Sequence, residues 1–352
     1  MPRRGPGAGQ AGRRRTDLIA LAVCLVATVL GAVLVVRADG PDTLDRDEWS
    51  RSALGVFRST NPDEVEAFEQ WLGRPVDVVI DFSARANWYD ISAPDYLLDV
   101  WRGTGYTPVL GVAMLPTDVP GVSILEGAAG AYDDWYRTLA EHLVAGGFPD
   151  AVVRIGWEFN SDDWPWATAD AQAWTMYFRR IVDALRSVPG QRLRIDWNVN
   201  NGPNPYDAVR YWPGDAYVDY VGVDVYDLWN EDDSGTEQPG CTGACLERGA
   251  REAWEERIFG GERGLRFWSG FAAERDKQLS LPEWGAWSRV DHRGGGDNPY
   301  FIDRMAAFIG DPDNRVAYHG YFEHAGAFGT HRLMTDLPAA GQRYRAAFGA
   351  GR

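Results

Sequence analysis

Two glutamates, Glu158 and Glu283, each stand directly after an apolar run, in "VRIGWEFN" (153–160) and "KQLSLPEW" (277–284). Two carboxylates on opposite sides of one pocket can hydrolyse a glycosidic bond. The protonated one donates to the leaving oxygen, and the ionised one attacks the anomeric carbon or activates water. The pattern is also compatible with ordinary strand-end charges, paired with Arg154 or Arg289.

The elements that must position these acids follow from the hydrophobic pattern. Apolar runs rich in β-branched and aromatic residues alternate with segments of helical spacing, and several are apolar at consecutive positions, as in a parallel sheet buried on both faces. The eight runs cover residues 54–58, 76–82, 106–115, 151–157, 193–199, 217–226, 277–284 and 316–322. We therefore predict a (β/α)8 TIM barrel, formed by one domain over residues 44–352.

The alternative is an open, doubly wound sheet. That fold would favour a glycine-rich phosphate loop after the first strand, and "FRSTNPDE" is not one. In a barrel, catalytic groups stand at the carboxyl ends of the strands, so Glu158 after the fourth strand and Glu283 at the seventh would face each other across the mouth. A separation of about 5–5.5 Å would favour a retaining mechanism.

Charge and histidine content narrow the function classes. The formal net charge of −16 argues against nucleic-acid binding, which requires a basic surface. The chain has five His and no His-x-His at a predicted strand end, so a metal-dependent hydrolase is poorly supported. We expect no cofactor, no metal and a monomer.

The N-terminal region predicts export. Residues 18–36, "LIALAVCLVATVLGAVLVV", are uncharged and apolar, nearly long enough for a hydrocarbon core of about 30 Å, and follow a basic tail (1–17). They form either a retained transmembrane anchor or a cleaved signal peptide. In both cases the body after the linker (37–43) lies outside the cell, at the outer face of the plasma membrane or secreted.

The exported part holds two cysteines, Cys241 and Cys245, in "PGCTGAC". In an oxidising compartment this spacing favours a local disulfide, whereas zinc would require two further ligands that no nearby His cluster supplies. The pair closes a long insert between strands six and seven, which we expect to overhang the barrel mouth.

The chain also resembles glycoside hydrolase family 26, in a clan of retaining (β/α)8 glycosidases. The resemblance rests on "RIGWEFN", "DDWPWA", "YVDYVGVDVYD" and "LSLPEWG", and spans most of the body. It implies that Glu158 is the general acid/base, that Glu283 is the nucleophile, and that Tyr226 hydrogen-bonds the nucleophile. Mannan-cleaving members usually have His before the acid/base, where this chain has Trp157, so β-mannan is a family-level expectation.

Other candidates for substrate binding surround the two acids in sequence. Aromatic residues there could stack on sugar rings, although each could equally pack in the core. Arg154 shares the strand face of Glu158 and could order the carboxylates or form a buried ion pair. The candidates are Arg154, Trp157, Asn160, Trp164, Trp166, Asn200, Trp284 and Trp287. The competing function is a carbohydrate-binding barrel at the cell envelope that has lost turnover.

Overall fold

The computed structural model describes residues 52–229 and 243–349. Eight parallel strands close into a barrel in the order β1-β2-β3-β4-β5-β6-β7-β9, and β9 pairs with β1. The strands are β1 (Ala53–Phe57), β2 (Val78–Phe82), β3 (Thr107–Val112), β4 (Val152–Ile155), β5 (Arg194–Asn200), β6 (Tyr220–Tyr226), β7 (Gln278–Gly285) and β9 (Val316–Phe322). The predicted (β/α)8 barrel is confirmed, with each strand inside or within one residue of its predicted run.

A small second sheet lies beyond the barrel strands. It consists of β8 (Ser288–Arg289), β10 (Ala325–Gly326) and β11 (Gly329–Thr330), paired antiparallel in the order β10-β11-β8. These strands follow β7 and β9 in the chain, so the sheet extends from the carboxyl ends of the last two barrel strands. The periodicity of the sequence did not predict it, because two-residue strands carry no repeating pattern.

Helices cover the outside of the barrel. They are α1 (Pro62–Leu72), α2 (Trp88–Ser92), α3 (Asp95–Trp101), α4 (Ile124–Ala128), α5 (Asp133–Gly146), α6 (Ala171–Arg186), α7 (Ala244–Ala253), α8 (Leu265–Ala273), α9 (Pro299–Gly310) and α10 (Pro338–Phe348). Their ends follow local chemistry. Asn61 caps α1 by accepting from the Asp63 amide at 3.1 Å, and Gly147 ends α5 at φ 92°.

Two apolar layers hold the fold together. The larger one fills the space between strands and helices, and includes fully buried Trp101, Trp174, Trp197 and Trp268. The smaller one lies within the barrel, where Val78, Ile80 and Val109 pack together. Towards the carboxyl ends of the strands the barrel interior becomes polar, and this is where the candidate site begins.

The predicted N-terminal tail, apolar segment (18–36) and linker all lie outside the described residues. Within residues 52–229 and 243–349, no helix is both long and apolar enough to span a membrane. Most of the insert after β6 also lies outside them, together with Cys241. Cys245 at the start of α7 is disulfide-bonded.

Candidate active site

Glu158 stands just beyond the end of β4, on a sharply turned backbone. Gly156 has φ 56° and Glu158 itself has φ 52°, a region that non-glycine residues adopt at a cost of about 1–3 kcal/mol. The Glu158 amide donates to the Asn198 carbonyl at 3.1 Å, which fixes this conformation against β5. The turn directs an acidic side chain into the barrel mouth.

The Glu158 carboxyl is only partly exposed to the cleft. Trp164 Nε1 donates to Glu158 Oε2 at 3.3 Å. Burial, followed by the charge of nearby Glu283, raises the pKa of Glu158 from its usual 4.5 to about 8, against the opposing effect of the Trp164 hydrogen bond. Glu158 is therefore protonated at neutral pH and can donate a proton.

Glu283 lies on β7 in a contrasting environment. Its side chain is buried and accepts two strong hydrogen bonds, from Arg154 Nη2 to Oε1 at 2.6 Å and from the Tyr226 hydroxyl to Oε2 at 2.9 Å. Each carboxylate oxygen thus has its own donor, and one donor is a cation. This arrangement fixes the orientation of the carboxylate and places a cation against it, as an attacking group requires.

The arginine that holds Glu283 is itself part of a buried network. Arg154 is fully buried, and its Nη2 also donates to Asp224 Oδ2 at 2.8 Å and to Asn198 Oδ1 at 2.7 Å. Burial alone would lower the pKa of Arg154, but the charges of Asp224 and Glu283 outweigh it and raise that pKa. The guanidinium is therefore a permanent cation beneath the cleft.

Asp224 completes the network and was not predicted. Its Oδ1 accepts from Asn198 Nδ2 at 3.0 Å and from the Glu283 amide at 3.1 Å, so it links β5, β6 and β7. Gly222 leaves space for this interior, since a Cβ there would lie 2.1 Å from Asp196 Oδ1. The available signal was a polar residue at alternate positions of otherwise apolar strands, in "DWNVN" and "VGVDVY".

A cleft of about 590 Å³ opens above these groups. The sequence-predicted residues that line it are Glu158, Trp164, Asn200, Tyr226, Glu283 and Trp287. Sequence reasoning missed its opposite wall, which the small second sheet and the end of β9 provide. That wall consists of Arg289, Phe322, His324, Gly326, Ala327, Phe328, Gly329 and His331.

The cleft continues on its other side into a cavity of about 390 Å³. The two share Asn200, Tyr226 and Leu228, and the second reaches Ile258 and Glu262. Among residues 52–229 and 243–349, the paired carboxylates therefore line the first of two adjoining cavities, which together form a groove.

Five of the predicted substrate-binding residues lie away from the cleft surface, and one of them is the fully buried Arg154 described above. Trp166 and Trp284 are fully buried, and Trp157 is 3% exposed. Asn160 is buried and bridges to the Asn200 backbone, donating to its carbonyl at 2.9 Å and accepting from its amide at 2.8 Å. The structure places these side chains beneath the cleft surface, in the buried packing that supports the site.

No group of three or more His, Cys, Asp or Glu side chains suited to a metal ion occurs in the described ranges. The polar side chains that converge on the cleft are instead paired with one another, as carboxylate with guanidinium or hydroxyl.

Comparison with known proteins agrees with this architecture. A modular endo-β-1,4-mannanase of glycoside hydrolase family 26 from Cellulomonas fimi matches with a TM-score of 0.56 and 20% identity, over 84% of this chain and 70% of that chain. The catalytic domain of a family 26 endo-β-1,4-mannanase from Bacillus sp. JAMB-750 matches with a TM-score of 0.55 and 16% identity, over 86% and 87%. This chain has the fold of the family 26 glycoside hydrolases. No protein-family model matches it.

A relative is also found by sequence. Endoglucanase H of Acetivibrio thermocellus is 29% identical over 184 residues, which cover 49% of this chain and 19% of that protein. The chain thus spans about a fifth of the length of the curated relative it matches. In this barrel Glu158 follows β4 and Glu283 lies near the carboxyl end of β7.

Proposed function

We propose that this protein is an exported, retaining glycoside hydrolase of family 26 that cleaves a β-linked polysaccharide, with β-mannan as the first substrate class. One observation carries the proposal: two glutamates with opposite environments line the same cleft, Glu158 held protonated and Glu283 held between two donors. Such a pair is what double displacement at a sugar carbon requires.

In the first step, the glycosidic bond breaks between the anomeric carbon and the leaving oxygen. Glu158 transfers its proton to that oxygen, while Glu283 attacks the anomeric carbon and forms a glycosyl ester. Arg154 and Tyr226 orient the attacking carboxylate. Burial is the main cause of the raised pKa of Glu158, and the charge of Glu283 adds to it; as Glu283 loses that charge to the ester, the pKa of Glu158 falls and its carboxylate can act as a base.

In the second step, water hydrolyses the ester. Glu158, now ionised, takes a proton from water, whose oxygen attacks the anomeric carbon as the bond to Glu283 breaks. Two inversions give net retention. The site ends as it began, with Glu158 protonated and Glu283 ionised.

The substrate class rests on similarity and on the form of the cleft. The two structurally similar proteins named above are endo-β-1,4-mannanases, and the sequence relative is named an endoglucanase. The groove that these adjoining cavities form beside the carboxylates suits a polymer chain. For the sugar itself, Trp157 in place of His removes a polar group beside the acid/base, so β-glucans belong in the test with β-mannans.

The proposed location rests on the apolar segment 18–36 and its basic flank. Retained, it anchors the barrel at the outer face of the plasma membrane; cleaved, it leaves a secreted enzyme. The body is acidic, with a formal charge of −21 once the six Arg and one Asp of residues 1–38 are set aside, and we propose that it acts on polymers of the envelope or its surroundings.

The test is release of reducing sugar from a panel of β-mannans, β-glucans, xylans and envelope polysaccharides. Wild type is compared with Glu283→Gln and with Glu274→Gln, a matched change at the exposed end of α8. We expect activity on at least one β-linked polymer, a loss of more than about a thousandfold in Glu283→Gln, and none in Glu274→Gln. Silence of the folded protein across the panel would favour the binding-only alternative.

The two roles are separated with aryl glycosides. A dinitrophenyl leaving group departs without protonation, so Glu158→Ala should still release one equivalent of it in a rapid burst, before slow hydrolysis of the ester limits turnover, whereas Glu283→Ala should show no burst. Equal loss in both variants would contradict the assignment of Glu158 as the acid.

A further inference from the structure

An arginine that the mechanism does not use lies beside Glu158. Arg85 follows β2, and its backbone carbonyl accepts from the Thr117 amide at 2.8 Å. Its guanidinium carbon lies 5.0 Å from the ring centre of Trp164 and 5.5 Å from that of Trp157. Partial burial lowers the pKa of Arg85, and no carboxylate of residues 52–229 or 243–349 pairs with it. The rings are therefore the partners of this cation.

Trp164 is held on several sides at once. Its ring stacks on Trp166 at 5.1 Å with an interplanar angle of 3°, and Trp157 meets it edge-on at 5.0 Å. Arg85 adds a cation over the same ring. Trp164 is partly exposed to the cleft and directs its Nε1–H at Glu158 Oε2, 3.3 Å away. These three contacts fix the plane of the ring, and with it the direction of its N–H.

We propose that Arg85 is a positioning residue that acts through Trp164: its guanidinium clamps the Trp157–Trp164 pair and so keeps the Trp164 indole N–H on the Glu158 carboxyl. This inference rests on the proposed function of Glu158 as acid/base. It also accounts for Trp157, the residue that departs from the His usual in mannan-cleaving relatives. Here that position serves as the second face of the arginine clamp.

The clamp has two physical effects on Glu158. It fixes the carboxyl at the position from which a proton is delivered, since Trp164 is the described side chain that donates to it. It also stabilises the ionised form needed in the second step, because a donor to the carboxylate opposes the rise in pKa that burial causes. A cation above an indole ring draws electron density from it and strengthens its N–H as a donor.

The test reads Trp164 directly by NMR of the full-length protein with ¹⁵N-labelled tryptophan. The indole resonance that disappears in Trp164→Phe is followed against pH, and Glu158→Gln establishes that its titration reports Glu158. In Arg85→Gln we expect this resonance to move upfield at high pH, as its hydrogen bond weakens. Its midpoint should rise by about half a pH unit or more. Arg85→Lys, which keeps a cation, should restore part of both changes.

The matched control is Arg345→Gln. Arg345 on α10 places its guanidinium 5.7 Å from the ring of Trp71, away from the cleft, so the Trp164 resonance should not change. An unchanged resonance and midpoint in Arg85→Gln would overturn the inference. This reading requires no turnover, so an inactive protein would refute the proposed function while the clamp was still decided.

Kinetics provide a second criterion once a substrate is known. Arg85→Gln should lower kcat by about three- to thirtyfold with little change in KM. The alkaline limb of its pH–rate profile should shift to higher pH. In the Trp164→Phe background the same substitution should add almost nothing, because Arg85 acts through that ring. Additive losses, or a rise in KM alone with the alkaline limb unmoved, would indicate that Arg85 contacts the substrate and would contradict the clamp.

Discussion

Removal of the Tyr226 hydroxyl tests the environment of the candidate nucleophile most selectively. Tyr226→Phe keeps the ring, which packs 5.2 Å from Trp287 and 4.8 Å from His331. It deletes the hydrogen bond of 2.9 Å to Glu283 Oε2. Burial and the charge of Glu283 raise the pKa of Tyr226 well above its usual value, so the wild-type hydroxyl remains a donor throughout the assay range.

The magnitude follows from the charge of the acceptor. A hydrogen bond to a charged group contributes about 1.5–3 kcal/mol, equivalent to about 10–150-fold in rate. Arg154 still holds the other oxygen of Glu283, so the carboxylate keeps its charge partner and loses one of its two orienting contacts. We expect kcat/KM to fall within that range, mainly through kcat.

The assay is steady-state hydrolysis of the best polymer in the panel, with thermal unfolding measured in parallel. Tyr132→Phe is the matched control, because the Tyr132 hydroxyl also donates to a glutamate, Glu126, at 2.6 Å, but on the helical exterior. It should leave kcat/KM within about twofold of wild type. A loss of less than about threefold in Tyr226→Phe would refute the reasoning that this hydroxyl holds the nucleophile.

Three other substitutions test the buried charges and the cleft surface one at a time. Arg154→Met leaves Glu283 and Asp224 without their cation, so urea unfolding should show a loss of about 3–5 kcal/mol, and a loss below about 1 kcal/mol would contradict the network. Glu158→Gln tests how the raised pKa of Glu158 makes the free energy of unfolding depend on pH. Between its usual 4.5 and about 8 the folded wild type keeps a proton that the unfolded chain releases, so wild-type stability falls as pH rises. The Tm advantage of the variant should therefore widen from acid to alkaline pH, and a constant difference would contradict the raised pKa of Glu158. Phe328→Ala removes a ring that is 67% exposed at the cleft edge, so KM should rise about two- to tenfold at unchanged Tm, whereas an unchanged KM would exclude a substrate contact.

Much of the barrel was predictable because its strands are buried on both faces. The run 316–322 coincides with β9, and 193–199 differs from β5 by one residue at each end. Because both faces of such a strand are buried, its consecutive residues are apolar and the strand can be recognised in the sequence. The small second sheet was not predicted, because its pairing depends on where the chain leaves β7 and β9, and no local sequence pattern indicates that.

The candidate site was predictable where chemistry coincided with strand position. Glu158, Glu283, Tyr226 and Arg154 come together as the sequence indicated, because strand alternation and the carboxyl ends of the strands fix their directions.

The tryptophans were harder to place. Trp164 lines the cleft, but Trp166, two residues later, lies in the core. Likewise Trp287 lines the cleft, but Trp284, three residues earlier, lies in the core. An indole suits both environments, so tertiary packing alone decides between them.

The central claim is that Glu158 and Glu283 cleave a β-glycosidic bond by double displacement. The most direct test is ¹H NMR of the first product during hydrolysis of a β-linked oligosaccharide from the active polymer. If the mechanism is double displacement, the signal of the β-anomeric proton appears first and the α signal grows only later, as the product mutarotates. An α signal that appears first would mean single displacement, and would contradict the assignment of Glu283 as a nucleophile.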